Sequence, residues 1–457
     1  MIEEKKPPKA ENPEFHGSLS LTEAELKDKY GINAPIEIAP QGWDDGFSDE
    51  EPTNPDDKIK RGTSALKMDR KTHVYFGDHK SIVIDNGSYA TRIGRCGTDT
   101  PDHIVPSLMA KTFDASGLHN DANAEIFYGH TAENSQMNRT GLVKGGMIED
   151  FDKMTGFWSH LFEHEMCIQS DQEKFHLVEK ADTSSWRRER MMEIFFENFQ
   201  VPEYFVTADA ICNIVAAGEY TGLSIDFGYD STDFVPVYEN STLPFLSKKL
   251  PFGARDLTKF LNSALLLSTD LLVGGGASSQ LRLVDQIKEQ KCYASQNFLL
   301  ELTKKYRNDA QVNNYTLPDG SRFNFGSQAI RIPESYFDPK HLGHPDLKPI
   351  HQVALQTIQG CDIDIRDSLL SNVILSGGSS CIEGLEKRFK KEFGGLAKRE
   401  MKANKSLWVE VGRPDTARWG AWVGAGVLGS LDSWQGNWIT KGEYEEWGLN
   451  IVNARCY

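Results

Sequence analysis

Two segments of this chain repeat one pattern, and the repeat limits the folds that the chain can form. Residues 82–88 have the sequence IVIDNGS and residues 223–229 have LSIDFGY, so each segment is an apolar run that ends in Asp-x-Gly. Strand-like and helix-like stretches alternate around both segments, which is typical of α/β proteins with crossover connections. The repeat predicts two similar lobes, with Asp85 and Asp226 entering a shared cleft from the ends of their strands.

Both turns have the composition of a phosphate-binding loop. Small residues let backbone N–H groups approach an anion, and two carboxylates that face one polyanion can share a divalent cation. A third turn, ILSGGSS at residues 374–380, places two glycines and small hydroxyl residues between a strand and a helix. Alone, that turn fits either a ligand-facing loop or a plain tight turn. Three such turns in one chain indicate an anionic ligand.

The apolar pattern from residue 79 onward predicts the order of strands and helices. Strands are expected at residues 81–84, 91–94, 205–207, 223–225, 234–238 and 373–375. Helices are expected at residues 154–165, 186–199, 210–217, 254–267, 281–291 and 384–393. The sequence LPDG at residues 317–320 lies between two strand-like runs and predicts a hairpin turn.

Composition excludes several classes of protein. The chain has 457 residues, 39% of them hydrophobic, which is enough for a large core and more than one lobe. The formal charge of −16 and the pI near 5.3 argue against direct nucleic-acid binding, because phosphate contacts need clustered Lys and Arg. Seven cysteines without CxxC pairs indicate neither a zinc site nor a disulfide framework. The absence of a long apolar run predicts no transmembrane segment.

Residues 1–77 differ from the rest of the chain. They include an acidic run at residues 44–52 and few periodic apolar positions. Trp43 and Phe47 place aromatic side chains beside and within that run, where they could anchor a contact with another protein. Two interpretations remain open for this extension: a disordered tail, or an arm that becomes ordered along a partner.

Further segments carry a family resemblance. They are GARDLT at 253–258, IKEQKCY at 287–293, YTLPDG at 315–320, DIDIR at 362–366, WITKGEY at 438–444 and IVNARCY at 451–457. Together with the three turns, they resemble the actin and actin-related protein family from about residue 80 to residue 457. The subfamily stays open.

The resemblance implies an α/β fold of the actin-like two-lobed type, built from duplicated ribonuclease-H-like domains and shared with sugar kinases and heat-shock ATPases. The expected parts are an N-terminal extension at 1–77, a small lobe at 78–216 and 420–457 with its tip at 107–141, and a large lobe at 217–419 with its tip at 253–344. ATP or ADP with Mg²⁺ is expected between the lobes.

The family's phosphate-binding positions carry over residue by residue. They are Asp85, Gly87, Ser88, Arg92, Asp226 and Gly228. Arg92 stands where actin has a lysine that reaches the phosphates, so a broad guanidinium replaces a compact ammonium. Asp85 and Asp226 are the expected Mg²⁺ residues, each acting through water.

The positions implied at the nucleoside end lie in the second half of the chain. They are Lys288 and Glu289 for the ribose and adenine, Gly377, Gly378 and Ser379 for the nucleotide-facing turn, and Arg418 near the base. Ile382 replaces the tyrosine that lies over the adenine in actin, which removes a stacking surface.

Several departures from the family fall where its chemistry occurs. Tyr89 replaces a glycine whose N–H faces phosphate, and Tyr229 and Asp230 replace the Asp-Gly of the second loop. Asp209 holds the position of the water-orienting glutamine, and Asp233 holds that of a histidine. An ionised Asp209 could act as a general base, but it cannot donate a hydrogen bond to water. We therefore expect altered or absent hydrolysis.

Two segments that make polymer contacts in actin are polar here. Residues 118–125, LHNDANAE, replace a glycine-rich apolar loop, and residues 337–346, FDPKHLGHPD, replace an apolar projection. Burying these polar groups in a filament contact would cost more free energy than the contact returns. Self-assembly into filaments is not expected.

Three functions remain candidates at the level of sequence. The first is a non-polymerising scaffold subunit of a larger multiprotein complex, which binds nucleotide tightly, weakly or not at all and contacts other subunits in part through residues 1–77. The second is an actin-like ATPase that forms or nucleates filaments, and the third is a phosphotransferase with Asp209 or Asp226 as base. The changed hydrolysis and contact positions favour the scaffold. We expect it in the cytoplasm, with a nuclear chromatin-remodelling complex or an organellar assembly as alternatives.

Overall fold

The structure is a computed structural model that describes residues 80–112, 125–135, 137–268, 277–307, 313–316, 322–401 and 408–456. The predicted N-terminal extension, the turn at 317–320 and the polar segment at 118–125, except Glu125, lie outside the described residues.

The described strands are numbered in chain order. They are β1 Ile82–Asn86, β2 Ala90–Arg95, β3 His103–Pro106, β4 Leu108–Lys111, β5 Ile126–Tyr128, β6 Arg139–Gly141, β7 Val143–Lys144, β8 Met147–Ile148, β9 Phe175–Glu179, β10 Glu203–Ala208, β11 Gly222–Phe227, β12 Thr232–Tyr238, β13 Ser241–Thr242, β14 Lys248–Leu250, β15 Asn313–Thr316, β16 Arg322–Phe325, β17 Val373–Ser376, β18 Val411–Gly412 and β19 Ile439–Thr440.

The described α-helices are numbered in the same way. They are α1 Gly129–Asn134, α2 Phe151–His160, α3 Ser185–Glu197, α4 Asp209–Ala216, α5 Ala254–Ser268, α6 Ala277–Lys291, α7 Phe298–Arg307, α8 Gln328–Glu334, α9 Ile350–Gly360, α10 Ile363–Ser371, α11 Leu385–Glu400, α12 Gly420–Ser430, α13 Lys441–Trp447 and α14 Ile451–Arg455. No helix in these described ranges is long and apolar enough to cross a membrane.

The two repeated segments form the centres of two sheets with the same strand arrangement. In the first sheet β1 pairs antiparallel with β2 and parallel with β9, which in turn pairs parallel with β10. In the second sheet β11 pairs antiparallel with β12 and parallel with β17, which pairs parallel with β18. Asp85 lies opposite Arg92 and Asp226 lies opposite Asp233, so the two Asp-x-Gly turns occupy equivalent places.

The six predicted strands and six predicted helices are all present, with ends that shift by up to seven residues, as in α11, which continues to Glu400. One central strand was not predicted from the sequence: β9, with the sequence FHLVE, is buried at all five positions. A parallel strand covered on both faces has no alternation of apolar and polar residues, so period-two patterning does not reveal it. Its parallel pairing with β1 sets Val178 beside Asp85, which brings the end of β9 to the edge of the sheet where the first turn lies.

Aromatic side chains pack the first sheet against its helices. Trp158 on α2 meets Phe195 on α3 edge to face at 5.1 Å, and Phe162 meets Phe175 on β9 at 4.9 Å. Such tilted pairs are favourable beyond the area that they bury. Trp158 also donates its indole N–H to Asn86 Oδ1 at 3.3 Å, so this cluster holds the residue that precedes the first glycine turn.

A close helix crossing joins the two halves of the described chain beneath the turns. Helix α12 has the sequence GAWVGAGVLGS and packs against α4, which begins at Asp209. A Cβ atom on Gly424 would lie 1.8 Å from the Cys212 carbonyl oxygen, so only glycine permits this approach. Trp422 donates its indole N–H to the Val83 carbonyl at 3.1 Å and ties α12 to β1.

We predict that Gly424→Ala lowers the free energy of unfolding by about 3 kcal/mol or more, because the added methyl group forces α12 away from α4. Gly442→Ala is the matched control, since Gly442 lies on exposed helix α13 with no atom within 4 Å of the added Cβ. That control should leave stability unchanged or raise it by up to about 1 kcal/mol. Chemical unfolding curves measure both variants, and equal stabilities would refute the packing argument.

Candidate functional site

A cavity of about 460 Å³ opens between the two sheets at the ends of β1 and β11. Its volume falls within the range of small-molecule sites. Every site residue predicted from the sequence lines it: Asp85, Gly87, Ser88, Arg92, Asp209, Asp226, Gly228, Lys288, Glu289, Gly377, Gly378, Ser379 and Arg418. The structure thus brings three separate turns and their neighbours to one place.

The turn after β17 brings backbone close to the second Asp-x-Gly loop. Gly377 has φ of +82°, and a Cβ atom there would lie 2.5 Å from both Asp226 Oδ1 and the Phe227 carbonyl oxygen. Gly378 has nothing within 4 Å of an added Cβ, so its missing side chain leaves space in the cavity. This glycine pair permits the close approach of a flat or anionic ligand.

The turn after β1 is braced by hydroxyl groups and leaves amide donors unused. Ser107 Oγ donates to the Gly87 carbonyl at 2.6 Å, and Ser88 Oγ accepts from Gly146 N–H at 3.0 Å. Within the described ranges the backbone N–H groups of Ser88 and Tyr89 have no hydrogen-bond acceptor. Successive free N–H groups in a tight turn form an anion-binding concavity.

The two charged residues expected at the first phosphate loop are paired with each other. Arg92 Nη1 donates to Asp85 Oδ2 at 2.7 Å, and both side chains are mostly buried. Arg92 therefore neutralises Asp85, the residue expected to hold a cation through water. A phosphate group would have to share the guanidinium with this carboxylate.

Lys180, which sequence reasoning did not identify, lies at the centre of the cavity. Its Nζ atom contacts Asp209 Oδ2 at 2.7 Å, Asp226 Oδ2 at 2.7 Å and Asp233 Oδ2 at 3.0 Å. Lys180 directly follows β9, so the parallel pairing of β9 with β1 carries it to the cleft. Because β9 itself was not predicted, the sequence offered no reason to place this lysine in the site.

We call the group formed by Lys180, Asp209, Asp226 and Asp233 the Lys180 cluster. Burial and neighbouring charges have opposite effects on the pKa values in this cluster. Burial alone would lower the pKa of Lys180, but the three carboxylates outweigh it and hold that pKa well above its usual value. Burial raises the pKa of Asp209 to about 7 although Lys180 opposes the change. At Asp233 burial is outweighed by Lys180 and Lys249, and the pKa lies below its usual value.

The other departures from the family also meet across the cavity. The rings of Tyr89 and Tyr229 lie 5.1 Å apart at a tilt of 50°, which joins the first Asp-x-Gly turn to the second. Asp230 Oδ2 accepts from Gly145 N–H at 2.7 Å, and its Oδ1 lies 2.9 Å from Arg255 Nη1. Tyr89, Tyr229 and Asp230 thus form contacts between the two sides of the cleft.

The end of the cavity that is expected to face a nucleoside contains two further charge pairs. Lys288 is buried, and its Nζ donates to Asp285 at 2.6 Å, to Thr258 Oγ1 at 2.7 Å and to the Ala254 carbonyl at 3.2 Å. These bonds use all three ammonium hydrogens, so none is free for a ribose hydroxyl. Arg418 and Glu289 pair at 3.2 Å on the exposed rim.

A nucleotide and a divalent cation fit this cavity differently. The glycine turns and the free amide groups suit a nucleotide. The cation expected near Asp226 does not fit, because Lys180 already contacts that carboxylate and two others. Across the described ranges, no group of three or more His, Cys, Asp or Glu side chains is arranged to hold a metal ion.

We predict that Asp209→Asn becomes more stable relative to the wild type as pH rises from 5 to 8. The pKa of Asp209 is about 7 in the folded protein and near 3.8 ordinarily. At pH values between these two, the folded protein therefore keeps a proton on Asp209 that the unfolded chain has lost. Ionising Asp209 in the folded protein therefore costs stability that the asparagine variant does not lose. The gain should reach about 1–3 kcal/mol at pH 8.

Unfolding curves at several pH values measure the difference in stability between Asp209→Asn and the wild type. Asp367→Asn is the control, because it also removes one carboxylate but from an exposed position. A difference that is flat with pH would show that Asp209 does not titrate as described.

The same stretch that forms both sheets also matches a known family. Residues 77–273 and 276–457 match the family described as Actin. The match includes all three glycine turns and every residue of the Lys180 cluster. The chain belongs to the actin family.

Proposed function

We propose that this actin-family protein is a non-polymerising structural subunit of a larger multiprotein assembly. In this proposal a nucleotide, ATP or ADP, binds in the cleft and is hydrolysed slowly or not at all. The observation that carries the proposal is the contact between Lys180 and Asp209. Asp209 stands at the family's water-orienting position, and its carboxylate is already bound by the ammonium of Lys180.

Activation of water at that position requires a group that can accept the proton of the water or orient it by donating a hydrogen bond. Asp209 is only 7% exposed, and its Oδ2 lies 2.7 Å from an ammonium. When ionised, this carboxylate is held by Lys180, and it has no hydrogen to donate. The pairing therefore supports a cleft that binds a nucleotide without turning it over.

The segment that replaces the family's apolar projection supports a body that does not polymerise. Residues Pro339–Leu342 form a 3₁₀ turn, and Asp338 Oδ1 accepts from Lys340 N–H at 3.3 Å at its start. Lys340, His344 and Asp346 are exposed beside this turn. Removing these polar groups from water in a filament contact would oppose assembly.

A nucleotide-free cleft is the second candidate, and a specific observation favours it. Each positively charged side chain that lines the cavity already contacts a carboxylate: Arg92 with Asp85, Lys180 with its cluster, Lys288 with Asp285 and Arg418 with Glu289. Among the residues that the structure describes, a triphosphate in this cavity would therefore meet no positive charge that lacks a partner. Free amide groups in the loop after β1 favour the nucleotide-bound form instead.

The proposed partners are other protein subunits, contacted in part through residues 1–77. The acidic net charge of −16 supports proteins as partners in preference to nucleic acid. We place this assembly in the cytoplasm, with a nuclear or organellar complex as the alternatives that fractionation of cells would distinguish.

We predict that the purified protein neither hydrolyses ATP at a rate that rises with protein concentration nor sediments as filaments. Release of labelled phosphate and high-speed sedimentation measure the two properties. Asp209→Gln, which introduces the family's usual residue, should still give no turnover because Lys180 remains in place. Cooperative turnover that depends on concentration would refute the scaffold proposal and favour a filament-forming ATPase.

We predict that a chain lacking residues 1–77 keeps the folded body but joins its assembly less completely. Its thermal unfolding midpoint should equal that of the same region in the full chain, while its recovery with partner subunits in affinity purification falls severalfold. Recovery at full stoichiometry would show that the extension is not a partner-binding arm.

A further inference from the structure

The Lys180 cluster joins the two sheets at the point where their Asp-x-Gly turns face each other. Lys180 comes from the first sheet, directly after β9, whereas Asp226 lies next to the last residue of β11 and Asp233 lies on β12 of the second sheet. Asp209 adds a third carboxylate from the start of α4. One ammonium group therefore connects both sheets and the helix that passes beneath them.

The dimensions of this cluster suit an ammonium. Its nitrogen-to-oxygen distances are 2.7, 2.7 and 3.0 Å, which are normal for charged hydrogen bonds. Magnesium requires oxygen ligands at about 2.0–2.1 Å and calcium at about 2.3–2.6 Å. The ammonium of Lys180 carries three hydrogens and lies within 3.0 Å of one oxygen of each of the three carboxylates.

A second lysine adds positive charge beside the cluster. Lys249 Nζ lies 3.4 Å from Asp233 Oδ1 and 3.7 Å from Asp182 Oδ2. Ser231 Oγ also donates to Asp233 Oδ2 at 3.1 Å. Two lysines and a hydroxyl group of the chain itself thus contact the carboxylates of the cluster.

We propose that Lys180 is the resident cation of this cleft, in the place where actin-like folds are expected to carry a divalent ion, and that it holds the two sheets together without metal or nucleotide. This inference goes beyond the proposed function, because it holds whether the cleft is empty or filled. It also explains why Tyr89, Tyr229 and Asp230 bridge the cavity directly: the closed arrangement is made by side chains and backbone of the chain.

The wild-type full chain provides the first test. Nucleotide is removed with apyrase and charcoal, and metal is removed with EDTA followed by dialysis. The expected unfolding midpoint then changes by less than about 1 °C on removal of metal and on return of millimolar Mg²⁺ or Ca²⁺. Elemental analysis should find far less than one divalent ion per chain. A midpoint that falls by roughly 5 °C or more in EDTA, or one tightly held ion per chain, would overturn the proposal.

Two substitutions of Lys180 distinguish the loss of its positive charge from the loss of its side-chain volume. Lys180→Ala and Lys180→Met both remove the ammonium and should lower the midpoint in EDTA by roughly 5 °C or more, because buried carboxylates lose their counter-charge. The alanine variant leaves room for an ion among the three carboxylates, whereas the methionine side chain fills it. Calcium should therefore restore much of the midpoint of Lys180→Ala, magnesium less, and neither should restore that of Lys180→Met.

Lys249→Ala is the matched control, since it removes a lysine beside the same carboxylate Asp233 but one whose side chain is 37% exposed. Its midpoint should fall less and should show no recovery with Ca²⁺. If Lys180→Ala and Lys180→Met both keep the wild-type midpoint in EDTA, the ammonium does not hold the sheets together and the proposal fails. If neither variant folds, the wild-type response to EDTA decides.

Failure here is distinguishable from failure of the proposed function. A metal-dependent wild-type midpoint with no ATP turnover would overturn the resident-cation proposal alone. A metal-independent midpoint with concentration-dependent turnover would overturn the scaffold proposal alone.

Discussion

The contact of one ammonium with three carboxylates is the interaction on which the cleft of this protein depends. Lys180 is nearly buried, and breaking such a cluster by removing one partner is far more costly than breaking a surface ion pair, because the remaining charges stay out of water. The cluster connects the ends of two sheets and the start of the helix between them.

The departures from the actin pattern make physical sense as a set. A ring at Tyr89 or a carboxylate at Asp230 would hinder the binding of a triphosphate if each acted alone. In the structure, Tyr89 meets Tyr229 and Asp230 accepts from the Gly145 amide, so these residues form contacts between the two sides of the cavity. The fold of the family is retained. Contacts within the chain occupy the positions where contacts with a ligand are expected. Such a cleft suits a protein whose role is to keep its shape within an assembly.

Much of this architecture could be predicted because local patterns encode it. Apolar runs that end in Asp-x-Gly predicted β1 and β11, and the structure brings all of the predicted site residues to one cavity. Strand β9 was not predicted, because a strand buried on both faces shows no alternation. The contact of Lys288 with Thr258 was equally invisible, since Thr258 lies on another helix.

The sequence by itself determined the family, the order of the twelve predicted elements and the neighbourhood of the site. These depend on residue type and on spacing along the chain, which are local properties. Only the tertiary structure decided what occupies the centre of that site. Lys180 and Asp226 are separated by 46 positions in the chain, and they meet because parallel strands in two sheets end at a common cleft. The packing of the sheets sets where the Lys180 ammonium lies relative to the carboxylates across the cleft. A local sequence pattern does not predict this position.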